Sequence, residues 1–275
     1  MRRPAWPLVA AIAALVVAAG SAAALLRQGR DLDEPISSVA LAGRVHARVI
    51  LPASYDDRPY RRYPVVYFLH GLPSSASAYR SNGWLADALR GAGEAILVFP
   101  QGARDNDTDP EYLDWGAGRN WQTYIAKELP RAIDARFRTI RSRSGRAIVG
   151  LSAGGYGATV VGLRHTGTFS VIESWSGYFH PTDPTGTKPL DRGPQANAHR
   201  LVSVLRGGRT YFAFYTGRGD LRFKDENVAL DRELTAAKLP HHFELYPGAH
   251  ESSVWRAHAG AWLRLALAHL ARPTS

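Results

Sequence analysis

Residues 146–158 read Arg146-Ala147-Ile148-Val149-Gly150-Leu151-Ser152-Ala153-Gly154-Gly155-Tyr156-Gly157-Ala158 and carry more information about architecture than any other segment. A short β-branched run, Ile148-Val149, enters Gly150-Leu151-Ser152-Ala153-Gly154, and small residues follow. That is the Gly-x-Ser-x-Gly pattern of a nucleophile elbow, in which a strand turns sharply into a helix with a strained serine at the apex. Glycines are needed two residues to either side because a Cβ there would meet the backbone of the opposing strand or helix. The pattern predicts Ser152 as a nucleophile at the carboxyl end of a sheet, with the Ala153 N–H aimed at the same space. Three fixed letters also occur in ordinary glycine-rich turns, so the flanking elements must discriminate.

Working outward, Val45–Leu51 alternates in polarity and ends at Pro52, and Tyr63–Leu69 is a near-continuous β-branched and aromatic run that stops at His70-Gly71-Leu72-Pro73. Glu94–Phe99, Arg146–Gly150, Phe169–Trp175, Thr210–Tyr215 and Phe243–Tyr246 read as further strands. Helical spacing covers Trp84–Arg90, Trp121–Phe137, Gly154–Arg164, Asp225–Lys238 and Val254–Leu270, with Pro130 expected to kink or divide the second of these. Residues 101–120 are loop-like. Alternating strands and helices of buried-strand composition predict an α/β architecture, a mostly parallel, doubly wound sheet flanked by helices. Ligands bind such sheets at the carboxyl ends of the strands, where the elbow falls.

A serine hydroxyl needs a base, and the base needs an orienting acid. Among ten histidines, His250 is best placed, following the last strand in Tyr246-Pro247-Gly248-Ala249-His250 and preceding a helix. His46 lies mid-strand, His258 and His269 lie in the terminal helix, and His241 and His242 precede a strand. The acid should follow a strand between serine and histidine, and Asp220 does so through Thr216-Gly217-Arg218-Gly219. Asp225 and Glu226 compete, but they open a predicted helix, where interaction with the helix N-terminus accounts for them. Acyl transfer also requires oxyanion donors. The Ala153 amide is one expected donor, and the Leu72 amide, after the turn at Gly71, is the other. This chemistry calls for no metal and no organic cofactor. Asp105-Asn106-Asp107-Thr108-Asp109 begins like a calcium loop, but Pro110 and Gly116 occupy positions that need glycine and glutamate. Trp115, Trp121, Trp175 and Trp255 are candidates to line an acyl or sugar site, with core packing the alternative for each.

The first thirty residues stand apart. Arg2 and Arg3 precede a charge-free apolar run from Pro7 to Leu26, and Arg27 ends it. Twenty helical residues would span a bilayer core of about 30 Å, while Ala22-Ala23-Ala24 offers a leader-cleavage site. Residues 1–30 are therefore expected to be a signal peptide or a signal-anchor transmembrane helix, and 31–275 an extracytoplasmic catalytic domain, either secreted or membrane-anchored. Absence of cysteine excludes disulfides and thiolate metal sites. The net charge of +10 comes from 34 basic residues, of which only Lys127, Lys188, Lys224 and Lys238 are lysines. Attraction to anionic envelope polymers and genomic base composition are both readings of that arginine bias. The arginines are scattered and no nucleic-acid-binding motif accompanies them, so no nucleic-acid partner is expected.

Taken together, these motifs resemble the esterase D / feruloyl esterase / antigen 85 mycolyltransferase group of α/β-hydrolases, over roughly residues 36–270. Tyr63–Gly71 resembles the group's oxyanion strand, Trp121–Pro130 its helix before the elbow, Ser174-Trp175-Ser176-Gly177 the segment after the next strand, and Pro247–His250 its histidine loop. The resemblance implies an α/β-hydrolase fold with Ser152, Asp220 and His250 as triad and Leu72 and Ala153 as oxyanion donors. His70-Gly71 has the form of the esterases, where the mycolyltransferases carry Asp-Gly. It implies a serine carboxylesterase acting on small-molecule or glycolipid esters. Acyl transfer to sugar hydroxyls and a non-catalytic binding protein of the same fold are the alternatives.

Overall fold

The computed structural model describes residues 29–104, 112–181, 190 and 193–274. The apolar runs become strands: β1 (Asp31–Ser38), β2 (Gly43–Ile50), β3 (Val65–Leu69), β4 (Ile96–Pro100), β5 (Arg146–Leu151), β6 (Val171–Trp175), β7 (Tyr211–Gly217) and β8 (His242–Tyr246). They form one eight-stranded sheet in the order β1-β2-β4-β3-β5-β6-β7-β8. β1 and β2 are antiparallel to their neighbours, and all other pairs are parallel. Helices α1 (Leu85–Arg90), α2 (Leu129–Arg136), α3 (Ala153–Arg164), α4 (Lys224–Ala236) and α5 (Ser252–Ala268) cover the two faces over separate apolar clusters. The fold matches the expected mostly parallel sheet.

β1 was not expected. Asp31, Asp33, Glu34 and Pro35 disguise it, yet its residues pair with β2 along their whole length, from Asp31↔Ile50 to Ser38↔Gly43. An edge strand tolerates proline and charge because one side of its backbone faces solvent. The helix expected over Trp121–Phe137 is a composite of a helical turn (Trp121–Thr123), a π-helical segment (Tyr124–Glu128) and α2. Pro130 cannot donate to the Ala126 carbonyl, and the Thr168 hydroxyl donates there instead, at 3.3 Å. The ladder thus widens by one residue just ahead of the proline. Trp121, Tyr124, Ile125, Leu129 and Ile133 all remain in the core, as the spacing requires. The apolar stretch at residues 7–26 and the Asp105–Asp109 loop lie outside the described residues. Among the described residues no helix is long and apolar enough to cross a membrane.

The topology reverses direction between β3 and β5, and this is the crevice where a doubly wound sheet accepts ligands. Leu69 pairs with Gly150, so the loop leaving β3 and the turn leaving β5 emerge side by side.

On the neighbouring layer, an acid–histidine cluster ties the segment after β6 to α4. Glu226 of α4 accepts from His180 and from the Phe179 N–H, and His199 stands 3.7 Å from Glu226 while pairing with Glu233 at 2.6 Å. The bond to Glu226 raises both histidine pKa values above the ordinary range. Burial alone would raise Glu226, but the two histidines outweigh it and hold the carboxyl low. The folded histidines therefore keep protons that an unfolded chain releases near pH 6.5. Their contribution is complete below that pH and is lost as pH rises through the folded values; the Glu226 contribution is lost only on acidification. The His180 side chain is 36% exposed, so screening limits the effect to about 1 kcal/mol or less. Glu226→Gln is expected to lower the melting temperature at pH 6 by about 2–4 °C. It should also flatten the decline between pH 6 and 9, read by thermal denaturation; parallel curves for the two proteins would exclude this coupling.

Candidate active site

The elbow forms because β5 and α3 cross closer than side chains allow. A Cβ at Gly150 would lie 2.1 Å from the Gly154 carbonyl oxygen, and one at Gly154 would lie 2.1 Å from that of Leu69. The chain turns through Ser152 at φ 53° and ψ −122°, a region that L-residues rarely occupy, so strain concentrates on this residue. Its N–H donates to the Trp175 carbonyl at 2.9 Å, which fixes the turn against β6.

Three of the predicted residues meet in one line. Ser152 Oγ donates to His250 Nε2 at 2.9 Å, and His250 Nδ1 donates to Asp220 Oδ2 at 2.8 Å. The bond to Asp220 assigns the proton to Nδ1 and leaves Nε2 free to accept. Asp220 is 1% exposed. Its Oδ1 accepts from the Arg222 and Phe223 amides at 3.1 and 3.2 Å, and its Oδ2 also accepts from the Thr216 hydroxyl at 3.2 Å. Burial pushes this carboxyl's pKa up, but the bonds from His250 and the two amides overcome that and hold it below the usual carboxylate range. The loops carrying Asp220 and His250 are themselves joined, Arg218 N–H donating to Tyr246 O at 2.7 Å and Gly219 N–H to Gly248 O at 2.8 Å.

The competing acids are elsewhere. The Asp225 side chain is 94% exposed and pairs with Lys224, and Glu226 belongs to the histidine cluster of α4. The remaining histidine candidates have structural partners: His46 with Asp33, His241 with Asp231, His242 against Trp262, His258 on Tyr246 and His269 on Tyr211.

Ala153 opens α3, and the first amide paired within that helix start is that of Tyr156, to Ser152 O at 3.1 Å. Its own N–H precedes any carbonyl one turn earlier, as at every helix start. Leu72 follows Gly71, where a Cβ would lie 3.0 Å from Ser152 Cβ, so the loop leaving β3 backs directly onto the elbow.

Several supports of the site escaped the sequence reading. Tyr112, wholly buried at φ 58°, donates its hydroxyl to the His70 carbonyl at 2.8 Å and pins the β3 loop. Burial lowers the His70 pKa, consistent with a neutral ring donating from Nδ1 to Gly71 O at 3.0 Å. Phe223 and Trp255 hold the His250 ring edge-on from centroid distances of 5.2 Å each. Trp255 is carried onto the imidazole by the first turn of α5. Trp121 and Trp175 have core side chains, Trp115 is partly buried against the core, and Trp255 packs on His250 and lines the neighbouring cleft.

The chain is similar to known esterases and related hydrolases. The Esterase family model matches residues 38–261. Esterase Rv1288 of Mycobacterium tuberculosis is 33% identical over 130 residues, covering 47% of this chain and only 28% of that protein. The chain therefore spans well under half the length of that relative. A ferulic acid esterase structure superposes with a TM-score of 0.73 at 23% identity, over 89% of this chain and 99% of the other. An S-formylglutathione hydrolase from Agrobacterium tumefaciens does so with a TM-score of 0.73 at 20% identity, over 89% and 97%.

The crossing at Gly150 yields a stability test. Gly150→Ala forces a methyl into backbone atoms and is expected to cost at least about 3 kcal/mol in chemical denaturation. Gly167→Ala, where nothing lies within 4 Å, should be near neutral. Equal stability of the two variants would refute the close crossing.

Proposed function

The chain belongs to the Esterase family, and from that premise we propose that it hydrolyses carboxylic esters through Ser152, His250 and Asp220. The observation that carries the reading is the unbroken hydrogen-bond line from the strained serine to the buried carboxylate. In the proposed mechanism Ser152 Oγ attacks the ester carbonyl carbon while His250 Nε2 takes its proton. Asp220 holds the imidazole in the Nδ1–H tautomer and stabilises the cation that forms. The Ala153 and Leu72 amides are the proposed donors to the tetrahedral oxyanion. Collapse expels the alcohol, which takes the proton from His250, and leaves an acyl-Ser152 ester. Water, deprotonated by His250, then attacks that ester, releasing the carboxylic acid and returning the proton to Ser152.

Ser152→Ala should abolish hydrolysis and fluorophosphonate labelling, a loss of several orders of magnitude in kcat with the fold intact. Asp220→Asn should lower kcat by up to about 10⁴-fold, while Asp225→Asn leaves turnover near normal. Steady-state kinetics on an ester panel measures both, and full activity in Ser152→Ala would overturn the reading. Running the panel with and without trehalose separates hydrolysis from acyl transfer, since an acylated sugar would identify a transferase.

The location is proposed from the sequence alone. Arg2 and Arg3 before the charge-free run at Pro7–Leu26 support a leader or anchor that puts residues 31–275 outside the cytoplasm. Protease added to intact cells should digest an anchored domain, or the domain should appear in the medium. Full protection inside the cell would reject the assignment.

A further inference from the structure

A cleft of about 710 Å³ opens along Leu151, the residue before Ser152, and the loop at His70–Pro73. It is lined by the loop leaving β3, residues between Ser75 and Trp84, Leu151 and the first turn of α5. Two arginines border it, and among the described residues no carboxylate does. Arg80 is already neutralised, its guanidinium meeting the Asp33 carboxylate and the Tyr79 hydroxyl. Arg256 is different. Its guanidinium lies 5.0 Å over the Trp84 ring and has no carboxylate partner among the described residues. An aromatic face holds a guanidinium in place but leaves its outward N–H groups and its charge available. Ser75, Asn82 and Ser252 add hydrogen-bonding groups to the same walls.

The position of the cleft indicates which part of a substrate enters it. Trp255 lines the cleft and also packs edge-on against His250, so one wall of the cleft adjoins the residue that, in the proposed reaction, hands a proton to the departing oxygen. An alcohol portion departing on the Trp255 side would run toward Arg256. We propose that Arg256, seated on Trp84, is a specificity-determining residue that selects esters whose alcohol portion carries an anionic group. This inference rests on the reading of Ser152 and His250 as the reacting pair. A guanidinium–carboxylate contact is charge-assisted and directional, whereas a neutral isostere offers no charge to balance the cation.

The test compares 3-carboxyphenyl acetate with its neutral near-isostere, 3-carbamoylphenyl acetate. The natural protein should prefer the carboxylate by about tenfold in kcat/KM, a figure reduced for the exposure of Arg256. Arg256→Gln keeps a helix-favouring residue at an exposed position and should bring the ratio close to one, while Arg256→Lys should restore part of it. A ratio near one in the natural protein, or a preference that survives Arg256→Gln, would overturn the proposal. Binding gives a readout without turnover: in Ser152→Ala, calorimetry should show 3-hydroxybenzoate binding more tightly than 3-hydroxybenzamide, with the difference removed by adding Arg256→Gln. Hydrolysis that persists in Ser152→Ala would instead defeat the nucleophile assignment, and the calorimetric comparison would still decide the role of Arg256.

Discussion

The close crossing of β5 and α3 is the constraint on which the rest of the molecule depends. Two backbones that touch at Gly150 and Gly154 allow only small residues along their contact, and α3 is buried from Ala153 through Leu163. A helix with no polar face can exist only if other layers enclose it. The sheet covers it on one side, and the aromatic pair Tyr156 and Tyr178, stacked at 5.0 Å, extends the enclosure toward the segment after β6. Because β5 lies between β3 and β6, the crossing also determines what surrounds the serine. The loop leaving β3 arrives from one side and the end of β6 from the other.

Asp220 and His250 come from the far half of the sheet, and their placement is a problem of loop geometry rather than strand order. Asp220 and His250 are thirty residues apart, but their loops follow adjacent parallel strands and share two backbone hydrogen bonds. Local bonds from Thr216, Arg222 and Phe223 orient the carboxylate before the imidazole meets it. Such preorganisation lets a neutral histidine acquire a proton without rearrangement around it.

Much of this was legible from residue order alone. Ser152, Asp220 and His250 each follow a strand through glycine-containing turns, and that local signal survives without knowledge of the fold. The sheet was legible for the same reason, since buried parallel strands are apolar on both faces. β1 was not, because an edge strand carries polar residues and proline without penalty. The supports of the site were not legible either. Tyr112 reaches His70 across 42 residues, and Trp84 meets Arg256 from a distant part of the sequence, so neither contact leaves a local pattern. The histidine cluster of α4 shows the converse: Glu226 looks like a candidate acid in sequence and proves to be part of a tether.

The course of the first described residues has a consequence for presentation. Gly29 lies near Leu51 and Glu94, and Asp31 pairs with Ile50, which itself faces Leu97 at the start of β4. The chain thus enters at the amino ends of the parallel strands, while the serine, aspartate and histidine all follow carboxyl ends. The five residues of β4 separate these two poles by roughly 16 Å. A surface that gripped the protein by the strand beginning at Asp31 would face one pole, and Ser152 and its partners would open from the other, toward solutes diffusing past rather than toward the surface itself.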